Sequence, residues 1–432
     1  MCYSRYCRIC LVMLLFGVVS PAMAQPSIPS SEPRLCRQLY EQRHDSLLWY
    51  GKDSVHVALR QTLIHWLDSA SYLALDDGHY YASALRNYVM RFPSDSAAIR
   101  KTDRCFTDAA ISFAIDLHTG MGVHKMIGWD EISAKRKESS TAFIVSELAA
   151  ITTANTLSDF FQAIQPNSPP YRSLQAALCK ALPGREQEHV KELYAALNII
   201  RRLVSLQLDS CIVVNIATGR LSYLRHDSTL LSMKVVAGKP STPTPLFFAW
   251  CDEVVLYPYW NVPRNIAVNE FLPMFKKNRG MVDLLKLQVI GDNGKILNHR
   301  KIQWGNYSRS YFPFRLRQST GCDNALGMLK FNLTDPYNVY MHDTPFKLAF
   351  SSPERYFSHG CIRLEKPNIL ANMLLATPID SSLLSSAIHD EPPANYLLPA
   401  PVPVLVVYVT ATVDKNGLVL YEKDAYHLFR QK

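Results

Sequence analysis

The sequence predicts an α+β protein in which a helical N-terminal region is followed by a mainly β region. Two observations support this prediction. Apolar residues recur at helical spacing as far as Leu206, and from Cys211 onward short β-rich runs alternate with turn signals. Hydrophobic residues make up 48% and charged residues 19% of the 432 residues, which excludes a disordered, collagen-like or coiled-coil chain.

The first 24 residues resemble a secretory signal peptide. Arg5 and Arg8 precede an apolar run at 9–19, and small residues end the segment at Ala24. We expect cleavage after Ala24 and an exported, soluble mature protein; an uncleaved anchor is the alternative, although the apolar run is short for a membrane span. Beyond this segment no stretch of 18 apolar residues follows, so no further span is predicted.

Residues 25–206 read as a helical domain. The clearest helix is Asp103 to Leu117, where Phe106, Phe113 and their apolar neighbours fall on one face and Gly120 follows. Further helices are predicted at Val55–Ala70, Tyr80–Met90, Thr141–Ile151 and Glu186–Leu206.

Residues 207–432 read as mainly β. A single helix is predicted near 367–376 within this region. Strands are predicted at 211–216, 221–225, 231–237, 254–257, 287–294, 338–341, 403–412 and 418–421.

Charge and cysteine content narrow the function classes. Cleavage would lower the formal charge from +9 to +7, and no Lys or Arg cluster is dense enough to indicate nucleic-acid binding. It would also leave an odd number of cysteines in an oxidising compartment, so at least one thiol stays unpaired. Neither a CxxC pair nor Cys and His at zinc spacing occurs among them. The seven are Cys36, Cys105, Cys179, Cys211, Cys251, Cys322 and Cys361.

The segment from Ser358 to Arg363, which reads SHGCIR, is the sharpest chemical feature. Gly360 permits a tight turn that aims backbone N–H groups at an oxyanion, and Arg363 puts a fixed positive charge beside Cys361. His342 ends a β-like run upstream and is a candidate base for the thiol. Taken singly, the cysteine is more often a buried apolar residue and the histidine a satisfied core or surface residue.

His342, fifteen residues, and then SHGCIR together resemble the signature of the L,D-transpeptidases with a YkuD-type catalytic domain. The surroundings are similar to the YcbB-like branch, notably Tyr340 to Pro345 (YMHDTP) and Pro258 to Pro263 (PYWNVP). The resemblance covers about residues 205–426, with a weaker likeness in the helical region. It implies a helical scaffold domain at 25–206 and an L,D-transpeptidase catalytic domain at 207–432, with a capping insertion at about 270–314.

The resemblance also implies a chemistry. Cys361 would attack the carbonyl of the diamino acid at position three of a donor tetrapeptide stem and expel D-alanine, whose amine His342 protonates. The acyl group would then pass to the side-chain amine of an acceptor stem, giving a 3→3 cross-link in peptidoglycan. No metal or cofactor is required. Carbapenem-type β-lactams would acylate the same cysteine, and the protein would work in the periplasm or cell envelope.

By the same resemblance, the carbonyl of Asp343 orients the imidazole and Gly360 supplies an oxyanion N–H. The expected substrate-binding residues are Arg363, Tyr340, Ser358 and His359. In the capping insertion, aromatic and basic residues such as Phe275 and Trp304 suit a lid over an acidic stem peptide; an ordinary polar loop with aromatic packing explains them equally well.

Other functions remain open from the sequence. With water as the acceptor, the same site gives an L,D-carboxypeptidase or a hydrolase. A catalytically inactive wall-binding scaffold is the alternative from another class, and a general cysteine protease is a third reading. The intact His342, Cys361 and Arg363 favour the enzyme over the inactive scaffold.

Overall fold

The computed structural model describes residues 33–93, 95–122, 128–183, 189–226, 228–321, 323–380, 382–383 and 391–429. The expected signal peptide and Cys322 lie outside these ranges. Within them, no helix combines the length and the apolar character needed to cross a membrane. The described residues form two units, a helical unit of 33–122, 129–207 and 409–429, and a β unit of residue 128 with 208–408.

The helical unit confirms the helical prediction for the N-terminal region. Its longest helix, α4, spans Ser96–Thr119, begins where Asp95 accepts the N–H of Ala98 at 2.7 Å, and fully buries Phe106 and Phe113. The helices are α1 (Arg34–Gln42), α2 (Ser54–Asp68), α3 (Ala82–Arg86), α4, α5 (Trp129–Ala149), α6 (Ala154–Ala163), α7 (Pro169–Ala181) and α8 (Val190–Ser205).

The C-terminal segment differs from the sequence expectation, which placed all of residues 207–432 in one domain. Residues 409–429 group with the helices. Thr410 donates a hydrogen bond to the carboxylate of Glu192 in α8 at 2.9 Å, and the rings of Tyr421 and His189 stack with centroids 3.8 Å apart. A hairpin of two short strands in this segment therefore completes the helical unit.

The β unit is built on one nine-stranded sheet with the order β11-β3-β12-β10-β9-β4-β13-β1-β2. The long strand β3 pairs with β2 as well as with β12, so the pairings close into a ring of eight strands. The strands are β1 (Ser210–Asn215), β2 (Arg220–Arg225), β3 (Ser228–Gly238), β4 (Phe247–Leu256), β5 (Trp260–Asn261), β6 (Leu287–Ile290), β7 (Ile296–Leu297), β8 (Arg315–Gln318), β9 (Leu329–Leu333), β10 (Met341–His342), β11 (Tyr356–Ser358), β12 (Ile362–Leu364) and β13 (Ala394–Val407), followed in the C-terminal hairpin by β14 (Ala411–Val413) and β15 (Val419–Tyr421).

The expected mainly β character of the second half is confirmed, with local differences. The predicted strand at 338–341 is almost entirely loop, because Asn338 has a left-handed φ of 55° and pairing starts only at Met341. The predicted helix at 367–376 is α12 (Pro367–Leu374). Strands β8 and β9 were not predicted, because β8 has only one apolar residue in four and β9, although it alternates, is only five residues long.

Residues 260–318 form a subdomain on the β unit, which we call the cap. Strands β5, β8, β6 and β7 make its sheet, and the chain between them forms the helices α9 (Arg264–Ile266), α10 (Leu272–Lys277) and α11 (Met281–Leu284). Phe275 and Trp304 are 0% and 2% exposed, with ring centroids 4.9 Å apart. These two aromatic residues therefore form the core of the cap, and the expectation that they line a lid over a peptide is wrong.

Candidate active site

Three neighbouring strands, β9, β10 and β12, carry the motif residues. Strand β10 pairs in parallel with β12 and antiparallel with β9, with Met341 opposite both Ile362 and Phe331. These three side chains are all 0% exposed, so they form the buried face of the sheet. Because successive residues of a strand point to opposite faces, the residues next to them share the other face.

That second face, which we call the site face, collects the polar residues. One row across it joins Arg363, His342 and Lys330, which pair along β12, β10 and β9. Cys361 precedes Arg363 by two residues, and Tyr340 precedes His342 by two residues. The N–H of Ile362 donates to the carbonyl of Tyr340 at 3.1 Å. The register of the sheet therefore brings together residues that are up to 33 positions apart in the sequence.

His342 is buried, at 4% exposure, and its ring is held by one strong contact. Nδ1 lies 2.5 Å from the carbonyl oxygen of Asp343. A carbonyl only accepts, so Nδ1 carries the proton and Nε2 has the lone pair that a base needs. Burial, then the charge of Arg363, lowers the pKa of His342 to about 3, an effect that the carbonyls of Asp343 and Leu326 partly offset. The imidazole is therefore neutral at physiological pH.

Asp343 is placed as expected, with its carbonyl on the imidazole, and its side chain explains why the carbonyl stays there. The carboxylate accepts the N–H of Met328 at 3.0 Å and the N–H of Thr344 at 2.7 Å, and it pairs with the ammonium of Lys347. Gly327 leaves room for this carboxylate, because a Cβ there would lie 2.5 Å from its carbon. These contacts fix the backbone on both sides of His342.

The turn that carries Cys361 is closed by Ser358. Its hydroxyl donates to the carbonyl of Cys361 at 2.6 Å and accepts the N–H of Gly360 at 3.1 Å. Gly360 adopts a φ of 118°, a conformation that favours glycine, and its carbonyl accepts from Thr244 at 2.8 Å. Ser358 is 2% exposed and thus shapes the turn from within. The Gly360 N–H, expected at the oxyanion, would have to leave Ser358 to serve there.

The thiol of Cys361 is half-buried, and burial raises its pKa. Hydrogen bonds from the backbone and hydroxyl of Tyr340 and the charge of Lys330 act in the opposite direction, whereas Asp335 raises the pKa further. The thiol is therefore protonated at rest beside a neutral imidazole. Thiolate formation has to be coupled to substrate binding and to proton transfer.

Arg363 carries a charge that the described residues leave partly unsatisfied. Burial lowers the pKa of its guanidinium, and its buried Nε has no hydrogen-bond partner among the described residues. The nearby thiol of Cys361 acts in the opposite direction on this pKa. A buried donor without an acceptor is costly, so an anionic ligand group is the natural partner for this position.

Two of the expected substrate-binding residues make other contacts. The ring centroid of Tyr340 lies 5.6 Å from that of His342, and its hydroxyl acts to lower the pKa of the Cys361 thiol. His359 turns to the cap, where its Nε2 lies 2.6 Å from a carboxylate oxygen of Glu270. The motif histidine thus links the catalytic turn to the cap.

The sequence reasoning assigned no role to Lys330. Its Nζ lies 4.5 Å from the centroid of the Tyr340 ring, and its backbone pairs with His342. Burial lowers the pKa of this ammonium, which Cys361 and Glu253 act to raise. Only the register of β9 against β10 reveals this position. Elsewhere in the described residues, no group of three or more His, Cys, Asp or Glu side chains is suited to hold a metal ion.

Comparison with known families matches two parts of the chain. Residues 209–380 match the YkuD family, described as the L,D-transpeptidase catalytic domain. Residues 34–178 match a family described as the Scaffold domain. Together the two matched segments account for most of the helical and β units described above.

A curated relative is a Haemophilus influenzae protein that is provisionally named an L,D-transpeptidase. It is 30% identical over 283 residues, which cover 64% of this chain and 56% of the relative. The chain thus matches a little more than half of that relative's length.

Solved structures with a likeness include an L,D-transpeptidase from Mycobacterium smegmatis (16% identity, 46% of this chain and 58% of that chain, TM-score 0.23). A mutant of the Enterococcus faecium L,D-transpeptidase is another (16% identity, 47% and 51%, TM-score 0.19). At these TM-scores the likeness supports no conclusion about function.

Proposed function

Residues 209–380 belong to the L,D-transpeptidase catalytic domain family, and on this premise we propose that the protein is a peptidoglycan L,D-transpeptidase that works by cysteine acyl transfer. The observation that carries the proposal is the site face. Strands β10 and β12 place Cys361, Tyr340, His342 and Arg363 on one side of the sheet, with the imidazole in the tautomer that accepts a proton.

In the first half-reaction, Cys361 Sγ attacks the carbonyl of the diamino acid at position three of a donor tetrapeptide stem. His342 Nε2 takes the thiol proton. When the tetrahedral intermediate collapses, the bond to D-alanine breaks and His342 gives the proton to the departing amine. The product is a thioester, and Arg363 binds a donor carboxylate through its guanidinium, whose Nε has no hydrogen-bond partner among the described residues.

In the second half-reaction, the side-chain amine of an acceptor stem attacks the thioester carbonyl. Its proton passes to His342 and then to the departing thiolate of Cys361, which restores the resting pair. The new amide is a 3→3 cross-link. Both steps return the enzyme to its initial protonation state, as ping-pong acyl transfer requires.

The test is incubation of the mature protein with purified disaccharide tetrapeptides, with products separated by chromatography and identified by mass. We expect cross-linked dimers with loss of one D-alanine. Tripeptides without dimers would show that water is the acceptor and would overturn cross-linking in favour of the L,D-carboxypeptidase reading. Unchanged tetrapeptides would favour the inactive wall-binding scaffold.

Cys361→Ala is the active-site control and Cys105→Ala its matched counterpart. Cys105 is a free, half-buried thiol of the helical unit, away from the motif. We expect Cys361→Ala to abolish product and Cys105→Ala to leave it unchanged. Equal activity of Cys361→Ala would contradict the nucleophile assignment.

The same thiol should react with a carbapenem. A thioester adduct would shift the intact mass of the wild type by the mass of the drug and leave Cys361→Ala unshifted. The proposed substrate and the signal-like sequence of residues 1–24 support a proposed location in the periplasm or cell envelope. A fusion of residues 1–24 to a reporter that is active only after export tests this location.

A further inference from the structure

A groove of about 780 Å³ opens on the helical unit, and every described residue that lines it belongs to that unit. Its floor is apolar, because Ile151, Phe160 and Ile164 line it and are at most 7% exposed. Phe143 also lines it, and this ring is 48% exposed. A groove of this size accommodates several side chains of a bound peptide, so it is large enough to be a binding site.

Two carboxylates line the same groove, those of Glu147 in α5 and Asp159 in α6. Both residues are exposed, and neither forms an ion pair within the part of the chain that the structure describes. No Lys or Arg is among the described residues that line the groove. His118 lines it as well, with Nδ1 lying 3.1 Å from the carbonyl oxygen of Ile164. The groove therefore combines an apolar floor with an excess of negative charge.

Four helices end at this groove, which adds to the negative potential. Their last turns contribute His118 from α4, Glu147 from α5, Ala163 from α6 and Ser205 from α8. The last turn of a helix carries carbonyl groups without intrahelical partners and a partial negative charge. One helix start, the first turn of α6 at Thr156, also lines the groove, so negative helix ends outnumber positive ones.

The protein already binds one of its own cations at these helix ends. The guanidinium of Arg43 donates to the carbonyl of Ala149, the last residue of α5, at 2.6 Å, and to the carbonyl of Ile151 at 3.4 Å. A second cation that approaches from solvent would find the carboxylates of Glu147 and Asp159 without ion-pair partners among the described residues.

The ligand that fits this groove joins a positive charge to an apolar stem. Lys and Arg side chains have this form, because their aliphatic stems lie along apolar surface while their charged heads interact with carboxylates and aromatic faces. The acidic stem peptide of the proposed substrate brings carboxylates, which Glu147 and Asp159 would repel. A basic peptide therefore fits the groove better than the cell-wall polymer does.

We propose that this groove is a docking site for a basic peptide segment of a protein partner. The segment places the aliphatic stems of its Lys or Arg side chains on Phe143 and Phe160 and their charges beside Glu147 and Asp159. The proposal goes beyond acyl transfer at Cys361, because it gives the helical unit a role of its own, the binding of a partner.

The test uses the fluorescein-labelled peptide amide Lys-Leu-Arg-Leu-Lys, whose binding to the mature protein is measured by fluorescence anisotropy. We expect saturable binding by wild type and a dissociation constant about tenfold higher for Glu147→Gln/Asp159→Asn, the groove variant. Glu41→Gln/Asp77→Asn is the matched control, which removes exposed carboxylates of the helical unit outside the groove, and it should stay within about twofold of wild type. Both double variants change the net charge equally, so general electrostatic attraction cancels in the comparison.

Phe143→Ala tests the apolar part of the groove while every charge stays in place. We expect it to raise the dissociation constant of the labelled peptide by about fivefold, and unchanged binding would contradict the proposed position of the aliphatic stems. The same peptide with norleucine in place of its Lys and Arg residues should show no saturable binding. Circular dichroism of each variant shows that it is folded.

The proposal would be overturned if wild type did not bind the labelled peptide saturably, or if both double variants weakened binding equally. Displacement of the peptide by disaccharide tetrapeptides would make the cell-wall polymer the occupant. Self-association of the mature protein in sedimentation, abolished in the groove variant, would make a second copy the occupant; either result overturns the proposal. Cys361→Ala should bind the peptide like wild type, so failure of the proposed function appears separately, in the tetrapeptide assay.

Discussion

The helical unit and the β unit each withdraw charged groups from solvent to a different extent, and they treat them in opposite ways. In the helical unit, Asp103 is 0% exposed and accepts the backbone N–H groups of Trp49 at 2.8 Å, Tyr50 at 2.9 Å and Leu48 at 3.2 Å. The hydroxyl of Tyr40 donates to the same carboxylate. Every acceptor site on this group is used within the protein.

In the β unit, the corresponding groups are half-buried. Among the described residues, the buried Nε of Arg363 has no hydrogen-bond partner, and the ammonium of Lys330 lies 4.5 Å from the centroid of the Tyr340 ring. A satisfied buried network rigidifies a fold, whereas an incomplete one costs stability unless a ligand completes it. The difference indicates that Asp103 stabilises the helical unit, and it supports the proposal that the site face binds an anionic substrate.

The largest expected effect breaks the satisfied network. Asp103→Ala leaves three backbone N–H groups and a phenol without acceptors, so we expect the free energy of unfolding of the helical unit to fall by about 3 kcal/mol or more. Urea unfolding followed by circular dichroism measures it. Asp53→Ala, which removes an exposed helix cap, is the control and should cost clearly less than Asp103→Ala. Equal losses would mean that burial of the Asp103 network adds nothing.

The next largest expected effect concerns Arg363 in the β unit. Arg363→Met removes a half-buried charge whose Nε has no hydrogen-bond partner among the described residues, so the free energy of unfolding should be unchanged or slightly higher. kcat/KM for tetrapeptide stems should nevertheless fall about a hundredfold, equivalent to about 2.7 kcal/mol. If Arg363→Met lost stability and activity in parallel, Arg363 would belong with Asp103 as a structural residue.

His342 supplies an intermediate case, because it is buried without a charge. The native pKa of about 3 lies below the unfolded value near 6.5, so between these values the unfolded chain binds the additional proton. Stability is therefore present above pH 6.5 and is lost as pH falls, by about 1.4 kcal/mol per unit. From pH 6.5 to 5, wild type should lose about 2 kcal/mol more than His342→Gln in urea unfolding; parallel losses would contradict a neutral buried imidazole.

The two units also differ in how far the sequence predicts them. The helix α4 follows from the spacing of Phe106 and Phe113, since one apolar face decides both its conformation and its packing. The proposed catalytic pair, His342 and Cys361, was predicted from the resemblance of their motif to the family signature. These predictions need only local periodicity or a fixed interval along the chain.

The rest depends on pairing between distant segments. Lys330 lies opposite His342 only because β9 and β10 share a register, and strand β10 has just two residues, too few to show a pattern. Tyr340 was expected at the substrate, but its position beside Lys330 and Ile362 depends on the pairing of β10 with β9 and β12. The return of residues 409–429 to the helices likewise rests on Thr410 and Glu192, two polar residues without a distinctive pattern.

The smallest expected effect concerns the contact between His359 of the motif and Glu270 of the cap, which differs from both the buried Asp103 network and the site face. His359 and Glu270 form a 2.6 Å pair, but their side chains are 30% and 45% exposed, so solvent screens the charges. Glu270→Gln should change the free energy of unfolding by less than about 1 kcal/mol and kcat by less than about threefold. Asp283→Gln, at another exposed histidine pair in the cap, serves as the control.

A larger increase in KM for Glu270→Gln than for the control variant would show that the pair positions the cap over the stem peptide. The pair would then hold the cap through a contact between partly exposed side chains, unlike the buried Asp103 network and unlike Arg363. Equal and small effects in both variants would mean that the charges with a functional role are those of the site face, and not the exposed pairs of the cap. The ratio of the two KM values thus decides whether the cap is positioned from the catalytic turn or by its own aromatic core around Phe275 and Trp304.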